Sequence, residues 1–238
     1  MMKMKFYHLI FVFGLVPILY ANNFSQLSIR ASIGQGSYKM TDLHDLLDEI
    51  IGDYAAEGIA LEATSDFPAY YTTQIQLLKY ITPKYQIGLV WQHRSTGARL
   101  HYSDYSGSIL IDIFVNSEAA GFKNIWTVSN RGKLKFESYL QLSGIFSNLH
   151  FSNEITVFDE GLKDEFTLKS IGIGIEPGIS TTAVLSRLSI SLNLGFQQCF
   201  SRPLHFTSNK EATLRVHNRE ATADWSGPRT GVSVGFSF

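Results

Sequence analysis

His150, Ser152, Asn153 and Glu154 stand together in the run H-F-S-N-E. An imidazole beside a serine hydroxyl can take its proton and make it a nucleophile, provided an acid orients the ring. Glu154 or Asp164 would have to be that acid, and the chemistry would be acyl hydrolysis. A second set of residues has no need of a substrate. Arg30, Lys135, Glu137, Glu176 and Arg187 are isolated charges among Ser, Gly, Gln and Asn, and opposite charges in so polar a setting form buried ion pairs. Metal chemistry has little support. His93, His101, His205 and His217 are scattered, with no pair at helical spacing, and the single cysteine, Cys199, excludes a multi-cysteine zinc site and an internal disulfide. Gly172 and Gly174 alternate with isoleucines instead of opening a helix, so they do not form a phosphate loop, and no cofactor is expected.

The elements that must position these residues read as strands. Leu27, Ile29, Ala31 and Ile33 fall on one face, with Gln26, Ser28, Arg30 and Ser32 on the other. The same alternation returns in Tyr85–Trp91, Phe136–Leu142, Ile171–Ile179, Leu188–Phe196 and Val232–Phe238. A soluble sandwich also alternates, so the polar face decides. That face is mostly Ser, Gly, Gln and Asn with single charges, which suits a crowded lumen better than a water-facing surface. In this register Arg30, Lys135, Glu137, Glu176 and Arg187 all point inward. Glu176 and Arg187 flank one short turn and are expected to face each other, with Lys135 and Glu137 at the same height. If the fifth strand continues, His150 and Ser152 share the outward face of Leu140 and Leu142.

Composition agrees. The 238 residues are 45% hydrophobic and only 17% charged, with 19 glycines and 13% aromatics. The usual charged share is about 25%. Twenty basic groups against 21 acidic ones exclude a nucleic-acid binder that works through a global positive field. Strands are read at 24–36, 67–80, 84–95, 119–128, 134–147, 167–180, 186–199 and 229–238. Short connections (81–83, 129–133, 181–185) alternate strictly with long ones (37–66, 96–118, 148–166, 200–228), as they must for a chain running up and down through a membrane. The fourth strand is the least defined: Ile109, Ile111, Ile113 and Val115 also alternate, so it spans at 108–116 or runs from there through 128. The fold class is therefore an all-β, eight-stranded antiparallel up-and-down transmembrane barrel with long loops.

Lys3 and Lys5, an apolar run from Phe6 to Tyr20 and Ala21 describe a secretory signal peptide over 1–21, leaving 22–238 as the barrel domain. In the first long loop, Leu43, Leu46, Leu47, Ile50, Ile51 and Tyr54 recur at helical spacing, with Thr41 as N-cap and Asp42 and Asp45 in the first turn. This helix is read as a lid on the barrel mouth, with a docking surface or an entrance gate as alternatives. The first loop is acidic and the last, with Lys210, Arg215, His217 and Arg219, is basic, so the two attract across the mouth.

The chain resembles the small eight-stranded outer-membrane barrels of Gram-negative bacteria, the class of OmpX and the OmpA membrane domain. Its terminal run from Gly231 to Phe238, with Phe236 and the final aromatic Phe238, is similar to the signal read by the barrel-assembly machinery. Ser95-Thr96-Gly97-Ala98-Arg99 and Asp104-Tyr105-Ser106-Gly107 resemble a group of uncharacterised outer-membrane proteins. His150-x-Ser152-Asn153 is similar to a stretch of the lipid A deacylases, although it lies mid-chain and lacks further flanking similarity. The resemblance implies a bacterial outer-membrane location with both termini periplasmic. The implied partners are outer-membrane lipid, the assembly machinery and an extracellular protein or small molecule at the loops. The expected role is non-enzymatic, a structural or surface-interaction protein or a narrow small-solute path. The alternative is a lipid A acyl hydrolase using His150 and Ser152.

Overall fold

The computed structural model describes residues 27–238 apart from Tyr70, Asp159 and Lys210; the expected signal peptide and the start of the first strand at 24 lie outside these residues. Eight strands close into a ring: β1 (Leu27–Gly36), β3 (Tyr71–Thr82), β4 (Tyr85–Ser103), β5 (Gly107–Arg131), β6 (Leu134–Val157), β7 (Glu160–Leu185), β8 (Leu188–Ser201) and β12 (Gly227–Ser237). Each pairs antiparallel with its neighbour, and β12 returns to β1 with Ala31 opposite Val234. Short strands decorate the rim: β2 (Glu62–Asp66) continues β3 along β4, and β9 (His205–Phe206) continues β8 along β7. β10 (Arg215–Val216) and β11 (Arg219–Glu220) form a separate ribbon. The one helix among the described residues, α1 (Thr41–Ala56), sits between β1 and β2.

The alternation places the apolar residues outside. Ile33, Ile75, Ile173, Ile179, Leu192 and Val234 are each more than half exposed, while Ser28, Gln76, Gln86, Gln141, Ser191 and Ser233 are buried within the ring. A water-soluble barrel would bury these isoleucines. An apolar skin around a polar interior is stable only in hydrocarbon, so the ring is a transmembrane barrel. Tyr85 stacks on Trp126 at the short-turn end, with Phe236 against Phe238 at the same end, while Tyr71, Trp91 and Phe146 lie at the other. Aromatic side chains have an apolar body with a quadrupole or polar handle that favours such interfaces. At the turn end, Gly132 has φ of +65°, a left-handed conformation that glycine adopts without a Cβ penalty.

Strand length departs from expectation. β5, β6 and β7 have 25, 24 and 26 residues, whereas roughly 10 suffice to cross a bilayer. The expected loops 96–118 and 148–166 are thus largely strand, closed by turns between Ser103 and Gly107 and between Val157 and Glu160. Both alternatives for the fourth strand belong to one continuous β5. Ile109, Ile111, Ile113 and Val115 are buried on its inner face, so they do not meet lipid. The alternation persists along the strand but its sense inverts. Above the membrane belt water lies outside, and the inner face packs beneath a lid.

That lid is α1 with the last loop. Leu43 and Leu47 are buried, and Leu46, Ile50, Ile51 and Tyr54 pack against the same cluster, which includes Leu100, Ile111, Ile113, Leu149, Leu168 and Trp225. The helix does not start as expected. Thr41 is its first helical residue, and the cap is Met40, in a left-handed conformation with φ of 42° and no side-chain hydrogen bond. Met40 is fully buried, so packing fixes the helix start. Asp42 accepts instead from the Thr222 amide and hydroxyl, both at 2.8 Å, and Asp45 meets Arg219 at 2.8 Å. These contacts tie the first loop to the last.

Candidate functional site

The lumen is built in layers of inward side chains from alternate positions. Nearest the turns, Glu137 accepts from Thr182 Oγ1 (2.8 Å), Ser180 Oγ (3.3 Å) and Gln86 Nε2 (3.3 Å), with Arg30 at 3.8 Å. One layer up, Glu176 accepts from Tyr139 Oη and Arg229 Nη1, each at 3.0 Å, and Lys123 Nζ lies 3.8 Å from the centre of the Tyr139 ring. A Cβ on Gly178 or Gly195 would collide with the Tyr139 side chain, so this facing pair of glycines makes room for the tyrosine to cross the lumen. Above that, Arg94 donates to Ser117 Oγ (2.8 Å) and Gln197 Oε1 (3.0 Å) and lies 5.1 Å from the Trp225 ring centre. Trp225 donates to Ser147 Oγ at 2.8 Å and begins the apolar cap.

A cavity of about 30 Å³ lies among Gln92, Lys123, Tyr139, Glu176, Asn193 and Arg229. That is room for one or two waters rather than a conduit.

Of the five charges expected to form the lumen cluster, Arg30, Glu137 and Glu176 are buried in the ring and two are placed differently. Lys135 is half-buried at the turn end, where it donates to Tyr80 Oη at 3.2 Å. Arg187 is exposed in the turn between β7 and β8. It cannot face Glu176, because Leu185 pairs with Leu188 at that turn while Glu176 lies nine positions further along β7. At about 3.3 Å per residue that separates them by roughly 30 Å. The partner of Glu176 is Arg229, and Lys123 and Arg94 complete the layers. Arg94 could have been found by extending the polar face Gln86-Gly88-Gln92 one further step of two, and Lys123 by the parity of its strand.

On the outer surface above the belt, His150 and Ser152 project from β6. His150 Nδ1 lies 3.3 Å from Thr167 Oγ1, and Ser152 Oγ lies 3.5 Å from Glu165 Oε1. Neither contacts the other by hydrogen bond. Glu165 is engaged by Lys163 at 2.5 Å, and this lysine holds its carboxyl below the ordinary range. Glu154 is exposed and stands opposite Lys163, while Asp164 shares the parity of buried Leu168 and so projects from the other face of the sheet. The expected acids therefore do not reach the imidazole. Instead Arg99, Asp112, Ser152 and Glu165 are successive cross-strand neighbours, with Arg99 bidentate on Asp112 at 2.6 and 2.9 Å. No group of three or more metal-ligating side chains occurs among the described residues.

No protein-family model matches the chain, and no curated protein matches it in sequence. Among solved structures, it is similar to Neisserial surface protein A, with 11% identity, a TM-score of 0.40, and coverage of 89% of this chain and 97% of that one. It is also similar to CarO of Acinetobacter baumannii, with 12% identity, a TM-score of 0.40, and coverage of 92% and 100%. The N-terminal β-barrel domain of Pseudomonas aeruginosa OprF gives 11% identity, a TM-score of 0.36, and coverage of 89% and 97%. The fold stands on this chain's own ring of hydrogen-bonded strands and on its exposed apolar belt.

Proposed function

We propose that this protein is a sealed outer-membrane barrel that acts as a rigid surface-presenting scaffold, with its turn end and both termini in the periplasm. The observation that carries this reading is the double closure of the barrel. Polar layers fill the ring from Glu137 to Arg94, and Trp225, Leu43, Leu47 and Leu100 close it above with buried apolar side chains. A filled eight-stranded ring has no cross-section for solute. The four longest strands instead carry a stiff platform well beyond the membrane, and loops held by a rigid scaffold are where recognition concentrates. Partners on this reading are an extracellular protein or small molecule at the cap, with Phe236 and Phe238 delivering the strand to the assembly machinery. The decisive measurement is planar-bilayer recording of the refolded protein: no discrete conductance steps are expected with the cap intact. Steps that vanish on deletion of 41–56 would instead make α1 part of a gated path.

A further inference from the structure

The upper edge of the belt is not electrostatically uniform. On the outer surface of β4 to β7, three basic side chains are each matched by a carboxylate: His93 by Glu118 at 2.7 Å, Arg99 by Asp112 at 2.6 Å and Lys163 by Glu165 at 2.5 Å. On the flank where β7 meets β8 and β9 the pattern breaks. Lys169 is the cross-strand neighbour of His205, and Arg202 is held beside them by its amide, which donates to Ile171 O at 2.9 Å, and by its carbonyl, which accepts from Ser170 Oγ at 2.6 Å. Lys169, Arg202 and His205 form no ion pair among the described residues, and His205 Nδ1 is buried without a hydrogen-bond partner. The three surround a surface depression of about 480 Å³ that Ile171 bounds on the belt side, with no acidic residue in its lining, while Phe206, opposite inward Leu168, turns its ring to the interior cluster. Ile171 is the first residue of the exposed isoleucine series on β7, and Lys169 is the next outward position above it, so the depression straddles the boundary between hydrocarbon and water.

We infer that this depression binds the phosphate of a membrane lipid headgroup, with Lys169, Arg202 and His205 around the phosphate oxygens and the adjoining acyl chain on the exposed side chains of Ile171 and Ile173. Basic pockets at a bilayer boundary recognise anionic headgroups through point charge and hydrogen bonding together. The apolar border, continuous with the belt, selects a lipid over a free anion. The inference rests on the reading of the ring as a membrane barrel.

The test uses the full refolded barrel in neutral detergent, with bound lipid counted by native mass spectrometry. The probes are bisphosphorylated lipid A, its dephosphorylated form and inorganic phosphate. Wild type should retain the bisphosphorylated lipid about tenfold better than the dephosphorylated one, a difference equivalent to roughly 1.4 kcal/mol. Lys169→Gln with Arg202→Gln should abolish that preference, whereas Lys163→Gln should leave it. Both altered residues are exposed, and unchanged heat-modified gel mobility certifies folding; Lys169→Gln alone serves should the double variant fold poorly. Equal retention of the two lipids by wild type, an undiminished preference in the double variant, or displacement of the lipid by millimolar phosphate each overturns the inference. A protein that stays monodisperse without detergent would instead overturn the membrane reading itself.

Discussion

Glu176 and Arg229 meet at 3.0 Å inside the ring, both almost fully shielded from solvent. Removing one member of such a pair costs more than the pair is worth, because the survivor remains charged in a place that water cannot reach. Arg229→Met should lower unfolding stability by about 3 kcal/mol, read from urea titrations of tryptophan fluorescence in lipid vesicles. Adding Glu176→Gln to that variant should restore part of the loss. A fully additive double variant would show that the two residues do not act as a unit. Asp104 is a case outside the membrane. Its carboxylate accepts from the Ser106 hydroxyl at 2.7 Å and amide at 2.8 Å, then from Tyr102 and Gly107, and these bonds depress its pKa, the Ser106 hydroxyl first. A depressed folded-state value means that the turn's stabilisation is complete above the ordinary carboxylate range and is lost as pH falls through the lowered value. Amide-exchange protection of Ser106 and Gly107 should therefore decline on acidification, and Asp104→Ala should remove the protection and its pH dependence together.

At the scale of elements, α1 is held by packing rather than by its own cap. Leu43 and Leu47 are buried in the cluster above the lumen, while the Asp45–Arg219 pair at its edge is largely exposed and contributes little. Leu47→Ala should therefore cost about 2–5 kcal/mol locally and expose the segment from 41 to 69 to protease, with the β-barrel spectrum unchanged. Arg219→Ala should leave the cleavage rate almost unaltered. The long hairpins follow the same logic. β5 and β6 keep one register from Ser108 opposite Thr156 down to Thr127 opposite Glu137, so membrane wall and cap wall are one sheet. The wall that carries the cap therefore cannot swing independently of the barrel.

For the whole molecule, exposure alone does not tell which solvent a residue meets. Ile173 and Leu162 on β7 are 59% and 62% exposed, yet eleven positions apart they lie in the belt and beyond it. Ile173→Lys should weaken folding into bilayers by about 2–4 kcal/mol, whereas the same change at Leu162 should cost close to nothing. Equal effects at the two sites in vesicle-folding titrations would contradict the placement of the belt.

The order of residues determined by itself the ring of eight strands, the sense in which lipid-facing and lumen-facing side chains alternate, and the amphipathic stripe of α1. Each of these is a local periodicity, and a period of two or of 3.6 is written in neighbouring residues. Arg30, Glu137 and Glu176 were legible as inward residues for the same reason. Their partners were not. Glu176 finds Arg229 across the lumen and not Arg187 across a turn, since pairing depends on strand tilt and on which strand closes the ring. Nor could alternation reveal that Ile109 to Val115 are buried in an apolar cluster while Ile171 to Ile179 face lipid. Both series read alike in sequence, and only the tertiary structure, by setting α1 and Trp225 over the mouth, decides which side of the sheet is shielded from water.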